Sequence, residues 1–131
     1  MPLTDHKKKN FDIDLEFGGA NEEVVRSIFE DDGSIEVKTE RDKWLETGNI
    51  AIELKHKGKP SGISTTNAKW WIHVLTSDGN MKFSFIFPVS VLKRKVKHII
   101  LEGKGRITMG GDDNLSTLAL IPIKEVIKNE L

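Results

Sequence analysis

Ionic side chains recur at strand spacing in two neighbouring segments, Glu36, Lys38 and Glu40 in the first, Glu53 and Lys55 in the second. Alternate positions put each set on one face of an extended segment. Acids that face each other across a strand pair repel, so a cation must compensate them, and either the lysines or a bound metal can do so. Oxygen donors of this kind suit Mg²⁺ or Mn²⁺, and Mg²⁺ keeps several waters while taking one or two carboxylates from the protein. Such an ion polarises a phosphodiester and acidifies a bound water, while a lysine beside it steadies the developing negative charge. The outline is hydrolytic phosphodiester chemistry. In a chain with 31% charged residues an acid-x-Lys triplet is equally an ordinary solvated strand face, and spacing alone leaves both readings open.

The elements that must position these groups follow from periodicity. Asn21 to Glu30 reads as a helix, with Asn21 as a cap, Glu22 and Glu23 at the positive end of its dipole and Val24, Val25, Ile28 and Phe29 as one stripe; Asp31-Asp32-Gly33 ends it. Ser34 to Glu40 and Ile50 to Lys55 alternate as strands. With a short polar connection through Thr47-Gly48-Asn49, an antiparallel hairpin is expected, bringing Glu36 and Glu53 onto one sheet surface. Lys57 to Asn67 is an ordered loop, with a short helical turn expected around Thr66 to Lys69. Trp70 to Leu75 suits a buried strand, and Asp78-Gly79 turns it into Lys82 to Phe87, where Phe83, Phe85 and Phe87 alternate. Pro88 opens a helix from about Ser90 to Leu101, with basic residues mostly outward. Gly110 to Asn114 is a turn between short strands near Ile107 and over Leu118 to Ile121, and Lys124 to Glu130 is a closing helix.

The whole has 131 residues, 20 basic and 20 acidic side chains and no cysteine. A length of this order suits one domain, expected over residues 11–131 after a flexible tail over residues 1–10. The missing cysteines exclude thiolate catalysis, zinc knuckles and disulfide scaffolds, and fit a cytoplasmic setting. No apolar run reaches the ~20 residues of a membrane span, so no membrane partner is expected. The neutral total hides segregation: Asp12 to Glu53 carries thirteen acids against four bases, and Lys82 to Arg106 seven bases against the acid Glu102. Lys57, Lys59, Ser61, Ser64 and Thr65 in the loop, and Lys93, Arg94, Lys95 and Lys97 on the helix, could grip a phosphate backbone; each group is equally a turn or a solvated face. Trp70, Trp71 and a hydrogen-bonded His73 read as core rather than as stacking platform or general base.

Longer runs carry a family likeness. Glu36-Val37-Lys38-Thr39-Glu40-Arg41, Thr47-Gly48-Asn49-Ile50, Ile52-Glu53 and Gly58-Lys59-Pro60-Ser61-Gly62-Ile63-Ser64-Thr65-Thr66, followed by Ala68 and Trp70, resemble small phage-borne members of the PD-(D/E)XK nuclease superfamily. Gly110-Gly111-Asp112 and Leu120-Ile121-Pro122 are similar to it too, and the likeness spans about Phe17 to Ile123. It implies an α/β (α+β), restriction-endonuclease-like fold, a mixed β-sheet flanked by helices. It also implies a Mg²⁺-dependent DNA endonuclease, resolvase-like in the manner of Holliday junction enzymes, acting in the host cytoplasm if phage-encoded. Duplex or branched DNA would be the partner, and a homodimer would meet strands of opposite polarity with two symmetric sites. In one alignment Glu36 is the first metal acid and Glu53-Leu54-Lys55 the acid-x-Lys; in the other Glu36-Val37-Lys38 is the triplet and Glu53 an added ligand. The favoured site is Glu36, Glu53 and Lys38, with Lys55 as alternate, Glu40 as outer ligand or salt bridge, and Glu23 as a helical acid or simply a dipole partner. The family's Pro-Asp pair is missing here. A non-catalytic nucleic-acid-binding module on the same fold is the alternative, and a protein that engages a host partner through its acidic half is a third reading.

Overall fold

In the computed structural model, residues 5–30 and 34–128 are described. The first of these segments is one helix, α1 (Asp5–Glu30), a unit of its own. It begins well before Asn21, which therefore lies inside the helix and does not cap it. The expected tail over residues 1–10 falls partly outside the described residues, with Asp5 to Asn10 forming the start of α1, and the Asp31-Asp32-Gly33 stop lies wholly outside them.

The second unit, from Ser34 on, is a mixed α+β fold. Its elements are β1 (Ile35–Glu40), α2 (Lys43–Thr47), β2 (Asn49–His56), β3 (Lys59–Pro60), a 3₁₀ turn (Gly62–Ser64), β4 (Trp70–Ser77), β5 (Asn80–Pro88), α3 (Val89–Leu101), β6 (Arg106–Gly110), a second 3₁₀ turn (Asp112–Asn114), β7 (Ser116–Pro122) and α4 (Ile123–Val126). The helical turn expected at Thr66 to Lys69 is thus found earlier, at Gly62–Ser64. The closing helix is short, and residues 129–131 lie outside the described ones. Among the described residues no helix is long and apolar enough to cross a membrane.

Two sheets result, ordered β1-β4-β5 and β3-β2-β7-β6. The β4–β5 hairpin forms as its pattern demands: Asp78 (φ 52°) and Gly79 (φ 77°) are both left-handed, the geometry of a two-residue hairpin turn. The hairpin expected between β1 and β2 does not form. β1 runs parallel to β4, with Glu36 opposite Trp71, Lys38 opposite His73 and Glu40 opposite Leu75, while β2 pairs with β7 and β3. The connection between β1 and β2 supplies the reason. It folds into α2, whose Trp44 is buried, donates Nε1–H to the Thr76 carbonyl at 2.8 Å and meets Phe83 edge-on at 5.3 Å. That anchor draws β1 alongside the apolar strand β4, and it avoids setting two glutamates directly opposite each other.

The core lies between the sheets and α3. Ile50, Ile52, Ala119 and Ile121 come from one sheet, Trp71, Leu75 and Phe87 from the other, and Val89, Leu92, Val96 and Ile99 from the helix stripe, with Ile63 of the 3₁₀ turn joining them. The alternation of β1 is inverted relative to a conventional edge strand. Val37 is 56% exposed, whereas Glu36, Lys38 and Glu40 are the half-buried set. The ionic face therefore shares its side of the sheet with Trp71 and His73.

Candidate active site

Residues directly opposite in neighbouring strands share a face, so the register orders one side of the β2-β7-β6 sheet into rows. Arg106, Leu120 and Ala51 form one row, and Thr108, Leu118 and Glu53 the next. Ile50, Ile52, Ala119 and Ile121 point the other way, into the core. Beyond Glu53 the register slips: Lys55 opposes Thr117 and His56 opposes Ser116, leaving Leu54 as the extra residue of a bulge. The slip carries Lys55 to the core-side face and returns His56 to the face of Glu53. An unbroken strand would have done the reverse.

Glu53 is consequently enclosed by hydroxyls. Ser116 Oγ donates to its Oε1 at 2.7 Å and Ser61 Oγ to its Oε2 at 2.8 Å. With the Ser116 proton directed at the carboxylate, His56 Nδ1, 3.1 Å from Ser116 Oγ, must be the donor there, which places its proton on Nδ1. The Ser116 hydrogen bond holds the Glu53 carboxyl below its ordinary value of 4.5; partial burial opposes this, and the Ser61 bond and the charges of His56 and Lys38 add to it. A depressed folded-state value means that Glu53 contributes stability at pH above 4.5 and loses it as pH falls through the folded value. The urea midpoint of the parent chain should therefore fall more steeply as pH drops below 4.5 than that of Glu53→Gln.

Lys38 links the two sheets electrostatically. Its ammonium is 3.1 Å from Glu36 Oε1 and lies 5.9 Å from the centre of the Trp71 ring, and its charge also acts on Glu53. Lys38 is thus the ion-pair partner of Glu36 and the weakest of the influences on Glu53, whose strand belongs to the other sheet. Glu40 is committed differently. Its Oε1 accepts the Ala51 N–H at 2.9 Å and its Oε2 meets Nε2 of His73, which is 1% exposed. Trp71 Nε1–H donates to His73 Nδ1 at 3.1 Å, so the Nε2 proton faces Glu40. Glu40 is the stitch between β1, β4 and β2.

The loop beside Glu53 is fitted to it by a glycine. Gly62 has φ +56°, and a Cβ there would come within 2.3 Å of the Glu53 carbonyl oxygen and 2.9 Å of its Cβ. Gly62→Ala should cost about 1–3 kcal/mol, read as a lowered thermal midpoint, and should pull Ser61 off the carboxylate.

The remaining sequence candidates fall into groups. Glu23 is exposed on α1 and paired there with Arg26. Ser64, Lys93 and Lys97 share one open groove of about 410 Å³ floored by Leu54, Ile63 and Ile100, which brings the loop and helix sets together. Lys57, Lys59, Thr65 and Arg94 are exposed elsewhere on the same unit, and Lys95 is held by the Lys128 carbonyl at 2.7 Å. His56 and Ser116 were not legible as site residues, since only the bulge puts them beside Glu53. Among the described residues no three His, Cys, Asp or Glu side chains come together as a metal-holding group. Glu36 and Glu53, expected on one sheet surface, stand on strands of different sheets, Glu36 paired with Lys38 and Glu53 with its two hydroxyls, and these are the two carboxylates an ion would have to use. Comparison with known protein families, with curated proteins and with solved structures gave no match.

Proposed function

We propose that the chain is a divalent-cation-dependent DNA endonuclease, built around Glu53, Glu36 and Lys38. The observation that carries this reading is the hydroxyl-buttressed carboxylate of Glu53 on β2, with both oxygens held by serines, together with the Glu36–Lys38 pair on β1. Bound Mg²⁺ would supply Lewis acidity toward the phosphate and an acidified water. The chain's own groups do the rest. Ser61 and Ser116 fix both oxygens of Glu53, His56 fixes Ser116, and Lys38, over the Trp71 ring, supplies a cation for the negative charge that would build on a phosphate. The Ser64, Lys93 and Lys97 groove offers a track for the strand.

Incubation of supercoiled, linear and branched DNA with the chain in Mg²⁺ or Mn²⁺ tests this. Cleavage by the parent chain and only background cleavage by Glu53→Gln, with DNA binding retained, is the expected result. Binding without cleavage in either metal would leave a nucleic-acid-binding module, and the endonuclease reading would be wrong.

A further inference from the structure

On the face that carries Glu53, a second feature lies beside the ionic cluster. A cleft of about 330 Å³ opens between α2 and the β2-β7-β6 sheet. Its floor is apolar, formed by the half-buried Leu118 and Leu120 flanking the strand centre. Lys43 stands on one wall and Arg106 on the other, and among the described residues neither forms an ion pair. Glu40 reaches the cleft but already uses both oxygens on Ala51 and His73. The half-buried Asn49 side chain, which lines it too, makes no hydrogen bond among the described residues. Gly110 keeps the rim low, since a Cβ there would come within 2.6 Å of Leu118 Cδ1.

The chemistry that satisfies all of these features at once is a flat apolar body with a polar edge and an attached anion. Two cations without partners ask for a phosphate, the leucine floor asks for a ring face, and the Asn49 amide offers both a donor and an acceptor to a heterocycle edge. The volume sits at the lower end of the ~300–1,000 Å³ range for small-ligand pockets. It has room for one nucleotide and not for a base pair. We propose that this cleft binds a nucleoside monophosphate, either free or as the unpaired terminal nucleotide of a strand. Because Thr108 and Leu118 lie in the same row as Glu53, a nucleotide seated there places the next phosphodiester toward the carboxylate. That placement rests on the endonuclease reading and names its substrate class, strands with an unpaired nucleotide; occupancy of the cleft by a nucleotide does not depend on it. A base inside a duplex would have to leave its stack to enter.

Trp44 lines the cleft, so its fluorescence reports binding directly. The full chain, without metal, is titrated with dAMP, deoxyadenosine, inorganic phosphate, a 5′-phosphorylated single-stranded oligonucleotide and a blunt duplex. Saturable binding of dAMP is expected, weakened at least about tenfold in Arg106→Glu and in Lys43→Glu and unchanged in Lys82→Glu, an exposed lysine of β5 outside the cleft. Both charge reversals are at exposed positions, and circular dichroism confirms their folds. Absence of saturable dAMP binding, or binding indifferent to Arg106 and Lys43, overturns the proposal. The oligonucleotide arm separates the two sources: tighter binding of the unpaired end than of the blunt duplex supports the strand-end form, and equal binding overturns that form. Cleavage is scored separately, so loss of the endonuclease reading with dAMP still bound, or cleavage with no dAMP site, can each be told apart.

Discussion

On the proposed endonuclease reading, Lys38→Met is expected to lower cation-dependent DNA cleavage by about 10²–10³-fold, while Lys55→Met leaves the rate unchanged. The two lysines occupy equivalent places in the sequence, each two residues after an acid. They are separated by the bulge at Leu54. It sends Lys55 to the face of Thr117, away from Glu53, whereas Lys38 pairs with Glu36 and acts on Glu53 across the gap between sheets. A group that stabilises charge appearing only in the transition state should alter kcat more than KM, and its loss should leave DNA affinity nearly intact. Single-turnover cleavage of one labelled substrate by the parent and both variants measures this. A large loss in Lys55→Met with none in Lys38→Met would reverse the assignment and return the acid-x-Lys role to Glu53-Leu54-Lys55.

How far these placements were legible depends on how local their causes are. The β4–β5 hairpin was readable because three phenylalanines alternate up to Pro88 and Asp78-Gly79 dictates the turn. The apolar stripe of α3 and the hydrogen-bonded core role of His73 were readable for similar reasons. The partner of β1 was not. Its alternation identified a strand, but its pairing is decided by Trp44 docking against Thr76 and Phe83, far away in sequence. Nor does any residue type announce the bulge, which lies in the β2–β7 pairing just before the residues of β2 that also pair with the short β3. Moving the register by one residue exchanges His56 for Lys55 beside Glu53. The acids of the candidate site were therefore visible as residues, and their mutual placement was a property of the tertiary fold.

Glu40→Ala is expected to destabilise the chain by about 2–4 kcal/mol, because one carboxylate answers two donors that have no other acceptor. His73 is fully buried, with its Nδ1 already accepting the Trp71 N–H, so its Nε2 proton needs an acceptor; the Ala51 N–H on β2 needs one as well. Removing the carboxylate strands both, at about 1–3 kcal/mol for the buried imidazole and less for the part-buried amide. Glu40→Gln should fall between parent and alanine, since its side chain presents a single acceptor oxygen to two donors and turns an NH₂ toward the other. The double variant Glu40→Ala/His73→Leu should cost less than the sum of the single changes, as the leucine no longer presents an orphaned proton. Urea unfolding at pH 7 with a common m-value gives all four stabilities. A change in Glu40→Ala smaller than about 0.5 kcal/mol, the size of an ordinary surface substitution, would mean that water replaces the carboxylate and that the two sheets are not joined through it.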